Sequence, residues 1–192
     1  MKIDFANLQL QYQTYKENIH RNIQAVLDKS NYILGEEVQK LEEELQKFTG
    51  AKYAITCSSG TDALLLALMA IDIQSGDEII TTPFTWISTG EMIALLKAKP
   101  VFVDIETDTY NIDAKLIEKA ITKKTKAIMP VSLYGQPADI DVIKDIANKY
   151  NLKVIIDGAQ SFGSTYNGKM DSNLGDISTT IFYPTKQLGG YG

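Results

Sequence analysis

Tyr15, Ile19, Ile23 and Val26 recur at the spacing of one helical face. Val38, Leu41, Leu45 and Phe48 repeat that pattern, with Glu, Lys and Gln on the face between them. Two helices are therefore predicted, separated by YILG at 32–35. After residue 50 the period changes. AKYAITC (51–57) alternates and predicts a strand, and TDALLLALMAI (61–71) has so few polar residues that it predicts a largely buried helix. Short apolar runs and helical patterns then take turns. Strands are expected at DEIITT (77–82), KPVFVDI (99–105), KAIMPVSL (126–133), LKVIID (152–157) and DISTTIFYP (176–184). Helices are expected at STGEMIALLKA (88–98), DAKLIEKAI (113–121) and DIDVIKDIANKY (139–150).

Such alternation argues for an α/β fold, a mostly parallel sheet with helices on both faces. The chain divides into an N-terminal helical segment, 1–50, and an α/β domain, 51–192. In open sheets of this kind, ligands bind beyond the carboxyl ends of the strands. That rule singles out CSSGTD, TPFTW, SLYGQP and DGAQSFG, the turns after the first, second, fourth and fifth expected strands.

Composition narrows the function classes. The chain has 192 residues, 44% of them hydrophobic, which suits one soluble domain. A net charge of -5 without a basic block speaks against nucleic acid as a partner. No apolar run approaches the ~20 residues of a membrane span, and Asp4, Asn7 and Gln9 interrupt the N-terminus, so no signal peptide is expected. Cytoplasmic residence is the expectation. Cys57 is the only cysteine and His20 the only histidine. An internal disulfide is excluded, and no metal site is expected.

Each candidate residue has a functional and a plain reading. Ser58, Ser59, Gly60 and Thr61 sit at a strand-to-helix turn. They can cap the helix, with Ser59 or Thr61 accepting a backbone N–H, or cradle a phosphate in the positive end of the helix dipole. Neither the Walker pattern nor GxGxxG is present. Asp157 ends an apolar strand and needs a partner there. That partner can be a backbone N–H of the next turn or a protonated ring nitrogen. Gln160 offers an acceptor and two donors to the same space. Trp86, the only tryptophan, can be a packing residue or a flat wall for an aromatic ring. Lys186 can be a surface charge or, if desolvated, an imine-forming nucleophile. Spacing alone leaves these pairs open.

Taken together, SSGTDAL, FTWISTGEM, PVSLYGQPADID, IIDGAQSFGS and FYPTKQLGGYG resemble, in order and spacing, the DegT/StrS family of sugar-nucleotide aminotransferases. The resemblance covers the whole chain and implies the large domain of the aspartate-aminotransferase type I fold. It also implies pyridoxal 5'-phosphate as cofactor, an amino-acid donor, a nucleotide-sugar acceptor and a homodimer. YILGEEV, TKAIMPVSLYGQ and AQSFGSTYNGK are most similar to the branch that aminates the 3-keto group of a UDP-linked N-acetylglucosaminuronic acid for bacterial surface polysaccharide. A 4-keto-6-deoxy sugar nucleotide is the alternative acceptor, and a non-catalytic remnant the alternative outside catalysis. By resemblance Lys186 would form the imine with the cofactor and act as the catalytic residue. Asp157 would pair with the ring nitrogen, Gln160 would lie beside the ring hydroxyl, Trp86 would stack on the ring, and Gly60 and Thr61 would bind the phosphate. Two departures stand out. The family serine five residues before the lysine is Ile181 here, which removes one phosphate hydrogen bond. The sequence also stops at Gly192, where the family continues into a smaller C-terminal domain, so that domain is expected to be absent.

Overall fold

The computed structural model describes residues 6–191. Two helices open the chain, α1 at Leu8–Lys29 and α2 at Glu36–Thr49. The elements α3 (Gly60–Ala70), β1 (Glu78–Thr81), α4 (Ser88–Leu95), β2 (Lys99–Phe102), α5 (Ala114–Ala120), β3 (Thr125–Ile128), α6 (Ile140–Tyr150) and β4 (Lys153–Asp157) follow. A two-residue hairpin, β5 (Thr165–Tyr166) and β6 (Lys169–Met170), precedes β7 (Ile177–Thr179). The helix ends carry ordinary caps. Asn7 accepts the Leu10 N–H at 2.8 Å, Asp113 accepts that of Lys115 at 2.9 Å, and Gly50 and Asn151 close α2 and α6 in left-handed geometry.

The main sheet runs β2-β1-β3-β4-β7, and every pairing in it is parallel. Strand order reverses between β1 and β3, because β2 is added on one side of β1 and all later strands on the other. A crevice is expected at such a point, outside the carboxyl ends. Side-chain alternation fixes both faces. Ile79, Ala127, Met129 and Ile155 point to α3 and α4, with Leu64, Leu68, Met92 and Ile93. Ile80, Ile128, Val154 and Ile156 point to α5 and α6, with Ile117, Ile140 and Ile143. The central strands are buried on both faces and therefore read as continuous apolar runs.

One expected strand does not form. Residues 51–57 lie outside the sheet, which ends at β2 and β7, and Tyr53 and Ile55 are 70% and 83% exposed. Alternation marks a segment able to pair, but a strand also needs a neighbour, and among the described residues none lies beside this one. The Thr56 N–H and hydroxyl instead both bond Glu42 Oε1 of α2 at 2.8 Å. The expected strand at 176–184 shrinks to three residues. At 126–133 the strand ends at Ile128 and is interrupted at Pro130, which has no N–H to give, and pairing with β4 resumes as a bridge from Val131 to Asp157. The opening helices contact the main body. Phe48 stacks on Phe162 (5.2 Å), Tyr12 meets Tyr191 edge-on (6.4 Å), and Gln11 Nε2 donates to the Gly189 carbonyl at 3.3 Å.

Candidate functional site

Asp157 is the last residue of β4 and is 4% exposed. Its backbone is held by the neighbouring strand end. Its N–H donates to the Pro130 carbonyl at 2.9 Å, and its own carbonyl accepts the Ser132 N–H at 3.0 Å. Oδ2 accepts the Thr89 hydroxyl at 2.7 Å, and Oδ1 accepts the Ala159 N–H at a long 3.3 Å. Burial pushes its pKa up. The Thr89 hydroxyl, the Ala159 N–H and the charge of Lys186 pull the other way, in that order. Upward displacement wins, and among the described residues no ion pair reaches this carboxyl, so its ionised form is costly in an apolar surrounding.

The other candidates are linked to it. Thr89 lies in the first turn of α4, where its N–H bonds the Trp86 carbonyl at 3.2 Å. Trp86 is thus one helical turn from the Asp157 partner, and its ring is 74% exposed rather than packed in the core. Thr61 Oγ1 lies 2.9 Å from Ser88 Oγ, which joins the start of α3 to the start of α4. Ser59 is the N-cap of α3 and accepts the Asp62 N–H at 3.1 Å. The Ser58 and Ser59 hydroxyls both turn onto the Asp62 carboxylate, holding it below the usual range. The cap reading therefore holds for Ser59, while Gly60 and Thr61 stay at the mouth of the helix.

Gly60 is in close contact with Ile181. A Cβ placed there would lie 2.8 Å from Ile181 Cβ and 2.9 Å from its Cδ1. Ile181 thus rests on the first residue of α3, and only glycine lets it do so. Beyond Ile181 the chain makes a tight turn, Lys186 N–H to the Tyr183 carbonyl at 2.8 Å, which sets Lys186 half-buried with its charge acting on Asp157. Gln160 Oε1 accepts the Tyr134 N–H at 3.0 Å, and its carbonyl accepts from the Gln187 side chain. The fold therefore closes a ring from Gly60 and Thr61 through Ser88 and Thr89 to Asp157, then through Lys186 and Ile181 back to Gly60. Chemically, it offers a buried carboxyl that wants a cation, an amine nearby, and a helix N-terminus that favours an anion.

The family model described as "DegT/DnrJ/EryC1/StrS aminotransferase family" matches residues 13–192. The chain belongs to that family. Among DegT/DnrJ/EryC1/StrS proteins, it is 53% identical over 190 residues to the UDP-2-acetamido-2-deoxy-3-oxo-D-glucuronate aminotransferase of Pseudomonas aeruginosa, covering 99% of this chain and 53% of that protein. DesV of S. venezuelae, solved in complex with a ketimine intermediate, superposes with a TM-score of 0.96 at 35% identity, over 100% of this chain and 52% of that one. NtdA of Bacillus subtilis, solved with bound cofactor PMP, gives 0.92 at 35% identity, over 100% and 43%. The chain spans about half the length of the curated relatives it matches.

Thr89 escaped the sequence reading, as did Ser88. Both are buried in the first turn of α4, but a helical pattern reports apolar positions and passes over buried hydroxyls. The pairing of a hydroxyl from α4 with the end of β4 depends on the strand order β1-β3-β4, which no local pattern encodes.

Proposed function

We propose that this chain is the cofactor-binding part of a pyridoxal-phosphate-dependent aminotransferase that aminates a keto sugar nucleotide. Its acceptor is a 3-keto UDP-linked N-acetylglucosaminuronate, its amino donor glutamate, and its product a precursor of bacterial surface polysaccharide. The full-length protein works as a cytoplasmic homodimer. The observation that carries the reading is Asp157, a carboxyl sealed at the carboxyl edge of the sheet without a full cationic partner and within the field of Lys186. The relative from Pseudomonas aeruginosa supports the acceptor class.

The residues fit the cofactor. A protonated ring nitrogen would supply the cation that Asp157 lacks, and α3 presents its N-terminus where a phosphate would be favoured. When bound, pyridoxal phosphate supplies an electron sink for the carbon being deprotonated. The protein supplies the rest. Asp157, held by Thr89, would keep the ring nitrogen protonated. Lys186 would hold the cofactor covalently and then, once displaced by the donor's amine, carry a proton at Nζ between the two reacting carbons. Trp86 would cover one face of the ring, Gln160 would lie beside the ring hydroxyl, and Gly60 and Thr61 would meet the phosphate.

The test is an absorbance spectrum of the chain with pyridoxal phosphate, before and after borohydride, beside Lys186→Ala. The expected outcome is a visible imine band that borohydride fixes onto Lys186. A band unchanged in the variant, or none at all, would leave this chain a non-catalytic remnant. The acceptor is decided by offering 3-keto and 4-keto sugar nucleotides to the full-length protein, with amination expected at C3.

A further inference from the structure

A second buried carboxyl lies directly behind the Asp157 turn. Asp171 is 1% exposed and stands in the 3-10 turn Asp171–Asn173 just before β7. Ser132, from the loop after β3, donates its hydroxyl to Asp171 Oδ1 at 2.9 Å. Ser161, from the loop after β4, donates to Oδ2. Both serines are almost wholly buried, so neither hydroxyl has water as an alternative partner. The Asp171 backbone is held as well. Its N–H donates to the Ser164 carbonyl at 3.0 Å, and its carbonyl accepts the Leu174 N–H at 3.1 Å and the Ser178 hydroxyl at 3.4 Å. A Cβ placed on Gly158 would lie 3.2 Å from Ser161 Oγ and 3.4 Å from Asp171 Oδ2, so the cluster backs the residue that follows Asp157.

Asp157 and Gln160 lie at the end of β4 and in the loop after it, and the loop after β3 is bonded to both. The bonds run from the Ser132 N–H to the Asp157 carbonyl (3.0 Å) and from the Tyr134 N–H to Gln160 Oε1 (3.0 Å). The first fixes the height of Asp157 and the second the direction of the Gln160 amide. Holding a carboxyl here is expensive, because burial and the charge of Asp157 both push its pKa up, against the two serine hydroxyls. An apolar residue would fill the space at less cost, but it would leave both serine hydroxyls without an acceptor.

We propose that Asp171 is a positioning residue. With Ser132 and Ser161 it clasps the loops after β3 and β4, and thereby holds the Asp157 carboxyl and the Gln160 amide in place. Its consequence for cofactor binding rests on the reading given under Proposed function; the clasp itself does not.

The test compares the chain with D171A and D171N by two readouts. The first is amide hydrogen exchange at Tyr134 and Ala159, whose acceptors are the Gln160 amide and the Asp157 carboxyl, with Ile80 and Ile128 in the sheet as controls. The second is affinity for pyridoxal phosphate by absorbance titration. Losing a charged acceptor is expected to speed exchange at Tyr134 and Ala159 about tenfold in D171A and to weaken cofactor binding about as much, with the sheet amides unchanged. D171N keeps an acceptor for Ser132 and offers a donor toward Ser161, so both readouts should stay within about threefold of wild type. Wild-type exchange in D171A at Tyr134 and Ala159 would overturn the clasp. So would a D171N variant as impaired as D171A, which would make the charge rather than the geometry responsible. Should D171A not fold, S132A and S161A each remove one arm and should reproduce part of the same local loosening. If the wild-type chain binds no pyridoxal phosphate, the cofactor reading fails alone, and the exchange comparison still decides the clasp.

Discussion

Asp157 binds its proton more tightly in the folded chain than an exposed aspartate does, and the sign of the resulting pH dependence follows. The folded pKa is raised above the ordinary 3.8, so between that value and the folded pKa the native state holds a proton that the unfolded state has released. Stability contributed by this group is present at the acid end and declines as pH rises through that window. Asp157→Asn should therefore raise the denaturation midpoint of the cofactor-free chain at neutral pH while abolishing pyridoxal-phosphate binding. A midpoint that falls at pH 7 would contradict the argument. Ile181 gives a second prediction at this scale. Ile181→Ser would place a hydroxyl over the α3 N-terminus, and a hydrogen bond to a charged phosphate is worth about 1.5–3 kcal/mol, so the dissociation constant for pyridoxal phosphate should drop by about tenfold or more. Gly60→Ala alone forces its Cβ onto Ile181 at 2.8 Å and should cost about 1–3 kcal/mol in chemical denaturation. Pairing it with Ile181→Ser removes the Cδ1 contact at 2.9 Å but keeps the Cβ contact at 2.8 Å, so only part of that loss should be recovered, a coupling expected only of residues in contact. Asp157 and Gln160 stood out in the sequence because an apolar run ends there, and Gly60 and Thr61 because a helix begins there. Their partners Thr89, Ser132 and Asp171 did not, because side-chain hydrogen bonds across strand ends leave no periodic mark.

At the scale of elements, the helices and central strands were readable because burial on one or two faces imposes a period. The exception at 51–57 shows what periodicity omits. Its alternation is clear in the sequence, yet Ile55 is 83% exposed and the segment is tethered through Thr56 to Glu42 rather than through a ladder. Both Thr56 donors pull the Glu42 carboxyl below its usual range, the backbone N–H more than the hydroxyl. Glu42→Ala should accelerate amide exchange at Thr56 severalfold and leave β1 and β3 unchanged; an unaltered Thr56 amide would mean the tether does not hold the segment. The hairpin β5–β6 is a different kind of omission. Asn167 and Gly168, at φ 49° and 76°, form the two-residue turn that Asn-Gly favours, and that signal stands in the sequence between Tyr166 and Lys169. It carries only two paired residues on each side, too few for any alternation to show.

For the molecule as a whole, the strand order β2-β1-β3-β4-β7 gathers the ends of β1, β3, β4 and β7 along one edge; Trp86, Asp157, Gln160 and Lys186 come from the ends of β1, β4 and β7 or the segments that leave them, and Gly60 and Thr61 join them from the start of α3. This convergence depends on topology, which composition and motif spacing do not dictate; the family resemblance supplied it. The contacts of the first helix carry a further consequence. Gln11 bonds the carbonyl of Gly189, 178 positions later, and Tyr12 meets Tyr191. During synthesis α1 is made well before its docking partners, so at about 5–20 residues per second the helix waits on the order of ten seconds or more. Leu10, Tyr15 and Ile23 remain exposed even after docking. A nascent chain stalled before Phe182 should accordingly engage chaperones through α1, while the β1–β4 core, whose partners are already made, can fold ahead of it.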